Sequence, residues 1–282
     1  MAEEKKRRIR LPRGPSVKNP GGVNPGNWPD YLDEKYSTLV KAEFRSYFIP
    51  PFEVPSVVVI NVGLALGAWF FISPSVVIRY TSLIFLPVAL AAWAFADVPS
   101  TNLLGVHAGS AVKYIDKRRL LSRMITVKNI ALWLLITPGC VILSIALWPS
   151  QHNPLLSLAI TIAVQSLPFA YLGLAAIMAP LLPFHPLPWR ERLRRRDTWI
   201  RYGLAIGIAY FALTGPAAFL ALGPALLIMQ FVGKEPSHLF IASILVIPWA
   251  LFIWRMGIRI STKIAMRRKD WLEEFLSDPS RG

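Results

Sequence analysis

The stretch IALWLLITPGCVILSIALW, residues 130–148, decides the fold. It carries no charged side chain, and as a helix its 19 residues rise about 28 Å, close to the thickness of a bilayer's hydrocarbon core. Its two flanks differ in kind. Before it stands a basic segment with Lys113, Lys117, Arg118, Arg119, Arg123 and Lys128, whereas residues 149–154 after it hold no lysine or arginine. An apolar run with one basic and one neutral end is a membrane helix whose orientation is written in its loops.

Five further runs share this character: residues 54–72, 76–96, 155–182, 202–232 and 239–254. The composition agrees, with 54% hydrophobic and only 17% charged residues and a mean hydropathy of +0.45, a balance foreign to a soluble domain with a charged surface. The sequence therefore predicts an all-α polytopic membrane protein with six transmembrane helices. The fifth run, at 31 residues, would rise about 46 Å and is too long for one straight crossing. It contains two helix breakers, Gly215-Pro216 and Gly223-Pro224. A span, a break and then a short helix dipping back or lying at the outer surface is expected, with these four residues as a candidate hinge or outer gate.

Charge fixes the orientation. With the N-terminus cytoplasmic, residues 1–53, 97–129, 183–201 and 255–282 lie inside and hold 29 of the 31 Lys and Arg residues; Arg79 and Lys234 remain for the outer turns. This asymmetry predicts an N-in, C-in, multi-pass protein of the cell (plasma) membrane, with the broken fifth run crossing once. The formal net charge of +15 is thereby explained by topology. The basic loops lack the interleaved aromatics of a single-strand platform, so no nucleic acid is expected as partner, whereas membrane lipids are.

The organisation along the chain follows. Residues 1–29 read as a flexible basic cytoplasmic tail. No apolar run follows the opening charges before about residue 50, unlike a signal peptide. Residues 30–53 read as an amphipathic interface helix, with Asp30 as N-cap and Leu32, Tyr36, Leu39, Val40, Phe44 and Tyr47 at three- and four-residue spacing. Residues 54–258 form the six-span domain, and 259–282 a basic C-terminal helix and tail. Gly105 and Gly109 should end whatever leaves the second span. Residues 110–124 then predict a short basic cytoplasmic helix with Val112, Ile115, Leu120 and Met124 near one side.

Chemistry is sparse. Cys140 is the single cysteine, which excludes an intrachain disulfide and a cysteine metal cage. His107, His152, His185 and His238 are spread over separate segments, and there is no H-E-x-x-H, no Ser/His/Asp arrangement and no phosphate-binding loop. No catalytic residue, cofactor or metal ligand is therefore expected, and the chain is not read as an enzyme. Asn61, Gln165 and Gln230 are the few polar groups placed to meet a solute within the spans.

Residues 97–112 (DVPSTNLLGVHAGSAV), followed by Arg118-Arg119-Leu-Leu and by Lys128-Asn129-Ile-Ala-Leu, resemble the loop after the second span of bacterial ATP-binding-cassette (ABC) exporter permeases of the six-span class. Residues 179–188 resemble the end of their fourth span, and residues 255–275 their closing basic helix. The resemblance covers about residues 85 to 276. It implies a permease subunit that pairs as a homodimer or heterodimer, docks on a separate ATPase subunit, and moves a lipid-linked or amphiphilic substrate. It also implies that residues 110–124 are the coupling helix, with Gly109, Ser110, Lys113, Lys117, Arg118, Arg119 and Arg123 as ATPase-coupling residues. The alternatives are a membrane-embedded lipid-modifying enzyme, with Asp97 and Asp116 as its only acidic pair, and a non-catalytic subunit of a cell-envelope complex.

Overall fold

The computed structural model describes residues 34–48, 54–64, 66–67, 101–106, 108–147, 153–185, 196–233 and 235–278. Among them, all regular secondary structure is helical. In chain order the helices are α1 (Tyr36–Ser46), α2 (Val54–Leu64), α3 (Ala108–Tyr114), α4 (Arg118–Leu147), α5 (Pro154–Met178) and α6 (Arg196–Gly207). A π-helical segment (Ile208–Ala212) leads into α7 (Thr214–Ala221), and α8 (Gly223–Phe231), α9 (Pro236–Arg267) and α10 (Lys269–Ser277) follow. Three helices are long and apolar enough to cross a membrane: α4 through its Arg118–Ile142 portion, α5 and α9. They coincide with the third, fourth and sixth expected spans. The first expected span begins as α2, and the second lies outside the described residues.

The bundle core is α5 against α9. Asn153 starts α5 as its N-cap, its side-chain oxygen accepting from the Leu155 and Leu156 amides at 2.9 and 3.4 Å, with Pro154 at the first helical position. The face of α5 that meets α9 is built from small residues such as Ala163, Ala170, Gly173 and Ala176, and α9 answers with Ala242, Ala250, Gly257, Ser261 and Ala265, all buried. Small residues let the two backbones approach closely, the usual basis of helix association in lipid. A methyl group on Gly173 would lie 2.7 Å from Trp254 Cα, so the crossing requires glycine there. Three aromatic rings join α4 to this pair: Trp133 stacks on Phe169 at 5.1 Å, and Phe169 meets Trp254 edge-on at 5.9 Å.

The ends are set by these contacts. Arg268, after α9, donates to the Pro180 carbonyl at 2.9 Å, so α5 and α9 end together and run parallel. α4 runs opposite to them, with Asn129 beside Leu172 near its start and Ser144 beside Gln165 further along. The fifth run therefore travels once from one end of the molecule to the other. Tyr202 touches Phe184 at the shared end, Ala209 meets Tyr171, and Leu220 meets Trp249.

Two boundaries differ from the sequence reading. The described interface helix, α1, starts at Tyr36 with Lys35 extended before it as its N-cap; Asp30, the expected cap, lies outside the described residues. Residues 110–124 are not one helix: α3 ends at Tyr114, and α4 begins at Arg118 after a turn in which the Lys117 amide donates to the Tyr114 carbonyl at 2.9 Å. One position interrupts the apolar stripe. Ala111, Tyr114 and Ile115 are buried, and a continuing helix would bring Arg118, which is exposed, to the same face. Burial resumes on α4 at Leu120, Leu121, Met124 and Ile125.

Candidate functional site

The sequence-predicted coupling residues divide between two helices. Gly109, Ser110 and Lys113 lie on α3, Lys117 lies in the turn, and Arg118, Arg119 and Arg123 lie on the first turns of α4. Gly109, Lys113, Lys117, Arg118 and Arg119 are exposed, and Ser110 is half-buried, so these six share an accessible corner at the end of the bundle where α5 and α9 also terminate. Arg123 departs from the set. Its guanidinium donates to the Glu34 carbonyl and lies 4.7 Å over the Tyr36 ring, which ties the start of α1 to α4. It clasps α1 to α4 within the chain, one helical turn beyond Arg119.

Beneath the corner is a buried polar layer that was not read from the sequence as a site. Asn102 forms a two-bond clamp with Phe184: its amide donates to the Phe184 carbonyl at 2.8 Å, and its oxygen accepts from the Phe184 N–H at 3.1 Å. Gly105 lies so close that a Cβ there would stand 2.9 Å from Asn102 Cγ, which explains the glycine by crowding as well as by its turn. Lys128, at 1% exposure, donates from Nζ to the Leu103 carbonyl at 2.5 Å. Glu43 on α1 is equally buried and accepts from the Tyr47 hydroxyl at 3.3 Å. Burial pushes the Glu43 carboxyl above the usual carboxylate range, opposed first by the positive charge of Lys128 and then by the Tyr47 hydroxyl. The Lys128 bond to the Leu103 carbonyl ties α4 to the 101–106 segment, and the electrostatic coupling of Lys128 with Glu43 reaches α1. Asn102 and Lys128-Asn129 were legible only as part of the family resemblance; Glu43 was missed although its spacing, four residues after Leu39 and four before Tyr47, puts a carboxyl on the apolar face of α1, which is the signal that could have found it.

The C-terminal helix closes the corner from the other side. Leu272, Phe275 and Leu276 of α10 are buried, and α10 packs on α3. His185 bonds to the Phe275 carbonyl at 3.0 Å and stacks on its ring, Arg201 lies 4.4 Å over that ring, and Lys269 pairs with Asp116 at 3.1 Å. The hydrogen bond to Asp116, and then its charge, hold the Lys269 ammonium above its usual range. Asp116 is thus paired with a lysine, and Asp97, its supposed companion, lies outside the described residues. Among the described residues no three His, Cys, Asp or Glu side chains gather as a metal site.

At the candidate gate, the breaks fall one or two residues earlier than the Gly-Pro pairs. Leu213 and Leu222 are the junction residues, and each Gly-Pro sits in the first turn of the helix that follows, where a missing proline N–H is tolerated. Gly215 and Pro216 are exposed, Gly223 and Pro224 half-buried. The π-helical turn just upstream was not foreseen. Pro216 cannot donate to the Ala212 carbonyl and its ring would crowd that oxygen; the wider turn, with the Leu213 amide reaching back to Ile208 at 2.8 Å, absorbs the mismatch. Tyr171 supplies a donor to the Ala209 carbonyl at 3.2 Å, and Trp249 to the Leu220 carbonyl at 2.7 Å. Of the polar residues noted within spans, Asn61 is buried, Gln165 donates to Ser144 at 3.4 Å, and Gln230 is exposed.

No protein-family model, curated protein or solved structure matches this chain. The fold by itself defines the class: an all-helical, membrane-embedded protein with a basic, helically organised end.

Proposed function

We propose that this protein is the transmembrane permease subunit of an ABC-type exporter, without catalysis of its own, that moves a lipid-linked or amphiphilic substrate using a separate ATPase subunit. In this reading the chain crosses the plasma membrane six times with both termini cytoplasmic, and pairs as a homodimer or heterodimer to enclose the path. The observation that carries it is the exposed corner Gly109, Ser110, Lys113, Lys117, Arg118 and Arg119, one turn from the start of a 30-residue rod that runs into the apolar bundle. A push on that corner moves α4 as a lever, because α-helices transmit displacement along their axis as rigid bodies. Trp133 passes the motion to Phe169 on α5 and Trp254 on α9. The kinked fifth run, with its π turn and two junctions, is the segment able to change shape and open a lateral path. Spans nearly free of charge suit an amphiphile better than an ion.

The test is mild-detergent purification of the tagged chain with identification of its stoichiometric companions. A nucleotide-binding subunit should co-purify with the wild type and be lost from Arg118→Glu/Arg119→Glu, while the variant keeps its thermal stability. Absence of any nucleotide-binding companion, under conditions that preserve other membrane complexes, would remove the reading.

A further inference from the structure

The corner proposed for docking is not simply basic, and α10 is the reason. This helix sits with Leu272, Phe275 and Leu276 turned inward, while Asp270 and Glu274 are exposed one turn apart on its outer side and Glu273 is half-buried between them. Its inner face is fully used: it covers α3, where Ala111 and Tyr114 are buried, and receives His185 and Arg201 on Phe275. The Lys269–Asp116 pair, 3.1 Å apart and exposed on both sides, joins the acidic outer face of α10 to the basic corner of Lys113, Lys117, Arg118 and Arg119.

We infer that α3, the start of α4 and α10 form one docking platform of alternating charge, and that its occupant is a soluble protein carrying an acidic patch for the α3–α4 corner and a basic patch for α10. Two properties select a protein over a lipid surface. A sheet of anionic headgroups presents one sign, so it would gain from the basic corner and lose from Asp270, Glu273 and Glu274 beside it. An interfacial helix also needs an apolar face to bury in the membrane, and the apolar face of α10 is already spent on α3. A patterned surface instead fixes the register and orientation of a partner with the complementary pattern. The inference deepens the permease reading and depends on it only for the identity of the occupant as an ATPase.

The experiment places a photo-cross-linking amino acid, p-benzoyl-phenylalanine, at Lys113 in one variant of the full chain and at Glu274 in another, in native membranes. Both probes should form adducts with the same soluble polypeptide. Reversal of the opposite patch should reduce each adduct at least fivefold, using Asp270→Lys against the Lys113 probe and Arg118→Glu/Arg119→Glu against the Glu274 probe. Adducts mainly with lipid, adducts with different polypeptides, or adducts indifferent to reversal of the other patch would each overturn the platform. A covalent bridge formed by a short bis-maleimide between Asp116→Cys and Lys269→Cys in a Cys140→Ala background is the expected check that α10 lies on α3, and failure to form it in a folded variant overturns the inference at its base. If the shared polypeptide binds no nucleotide, the platform stands and the ATPase reading falls.

Discussion

Gly173→Ala is the sharpest perturbation available, because it adds one methyl group at the point where the two longest-packed helices touch. That methyl would stand 2.7 Å from Trp254 Cα, 3.0 Å from the Ile253 carbonyl oxygen and 3.1 Å from the Trp254 amide, all backbone atoms that cannot swing aside. To reach ordinary contact near 3.4 Å, α5 and α9 must separate by about 0.7 Å, loosening the small-residue face on both sides of the crossing. Overpacking of this kind costs roughly 1–3 kcal/mol, and about 2 kcal/mol is expected here. For a chain of this size that is a fall of roughly 4–8 °C in Tm. Gly257→Ala meets the Gly173 backbone more closely and should cost more. Gly203, where nothing lies within 4 Å of an added Cβ, is the control: Gly203→Ala should leave Tm unchanged or raise it slightly. The assay is thermal unfolding of purified protein in one detergent, read by tryptophan fluorescence and by monodispersity after heating. Equal Tm values for Gly173→Ala, Gly257→Ala and the wild type would refute the close crossing.

Further predictions concern the polar end. Lys128→Met should destabilise by about 1–3 kcal/mol because it leaves the buried Leu103 carbonyl without its donor. The double variant with Glu43→Leu should cost less than the two single variants together, as read by a double-mutant cycle of unfolding. Because burial raises the Glu43 pKa above its value of 4.5 in an open chain, folding takes up a proton there. The carboxyl's contribution is full below pH 4.5 and is lost as pH rises through the raised folded value, so Glu43→Gln should flatten the fall in Tm over that window; an unchanged pH profile would contradict the burial. Asn102→Ala leaves the Phe184 N–H and carbonyl unpaired and should cost about 1–3 kcal/mol, with faster amide exchange in residues 183–185 as the local sign. Phe275→Ala should release α10, exposing residues 269–278 to protease while the α4–α5–α9 bundle stays intact; continued protection would contradict the packing.

The long elements were legible because one strong regularity sets them. Residues 130–148, 155–182 and 239–254 are uninterrupted apolar runs, and each became the core of a membrane-length helix. Their true ends were not legible. α4 begins at Arg118 and α9 reaches Arg267, because a helix extends into water wherever its backbone bonds continue, well beyond the apolar stretch that defines a span. The breaker pairs in the fifth run were readable from Gly and Pro, but the π turn at Ile208–Ala212 was not, since it lies upstream of the proline that causes it. At the candidate site, Gly109, Lys113, Lys117, Arg118 and Arg119 are exposed and Ser110 is half-buried, while Arg123 reaches Glu34 and Tyr36, a contact no local pattern shows. Contacts such as Asn102 with Phe184 and Lys269 with Asp116 join residues 82 and 153 positions apart, and no local pattern announces them.

The most direct test of the central claim is nucleotide turnover by the purified assembly in lipid nanodiscs. The account predicts ATP hydrolysis that is present with the wild-type chain and falls at least tenfold with Arg118→Glu/Arg119→Glu, whose Tm stays at the wild-type value. Undiminished hydrolysis in that variant, or a stable wild-type assembly with no nucleotide turnover at all, would contradict it.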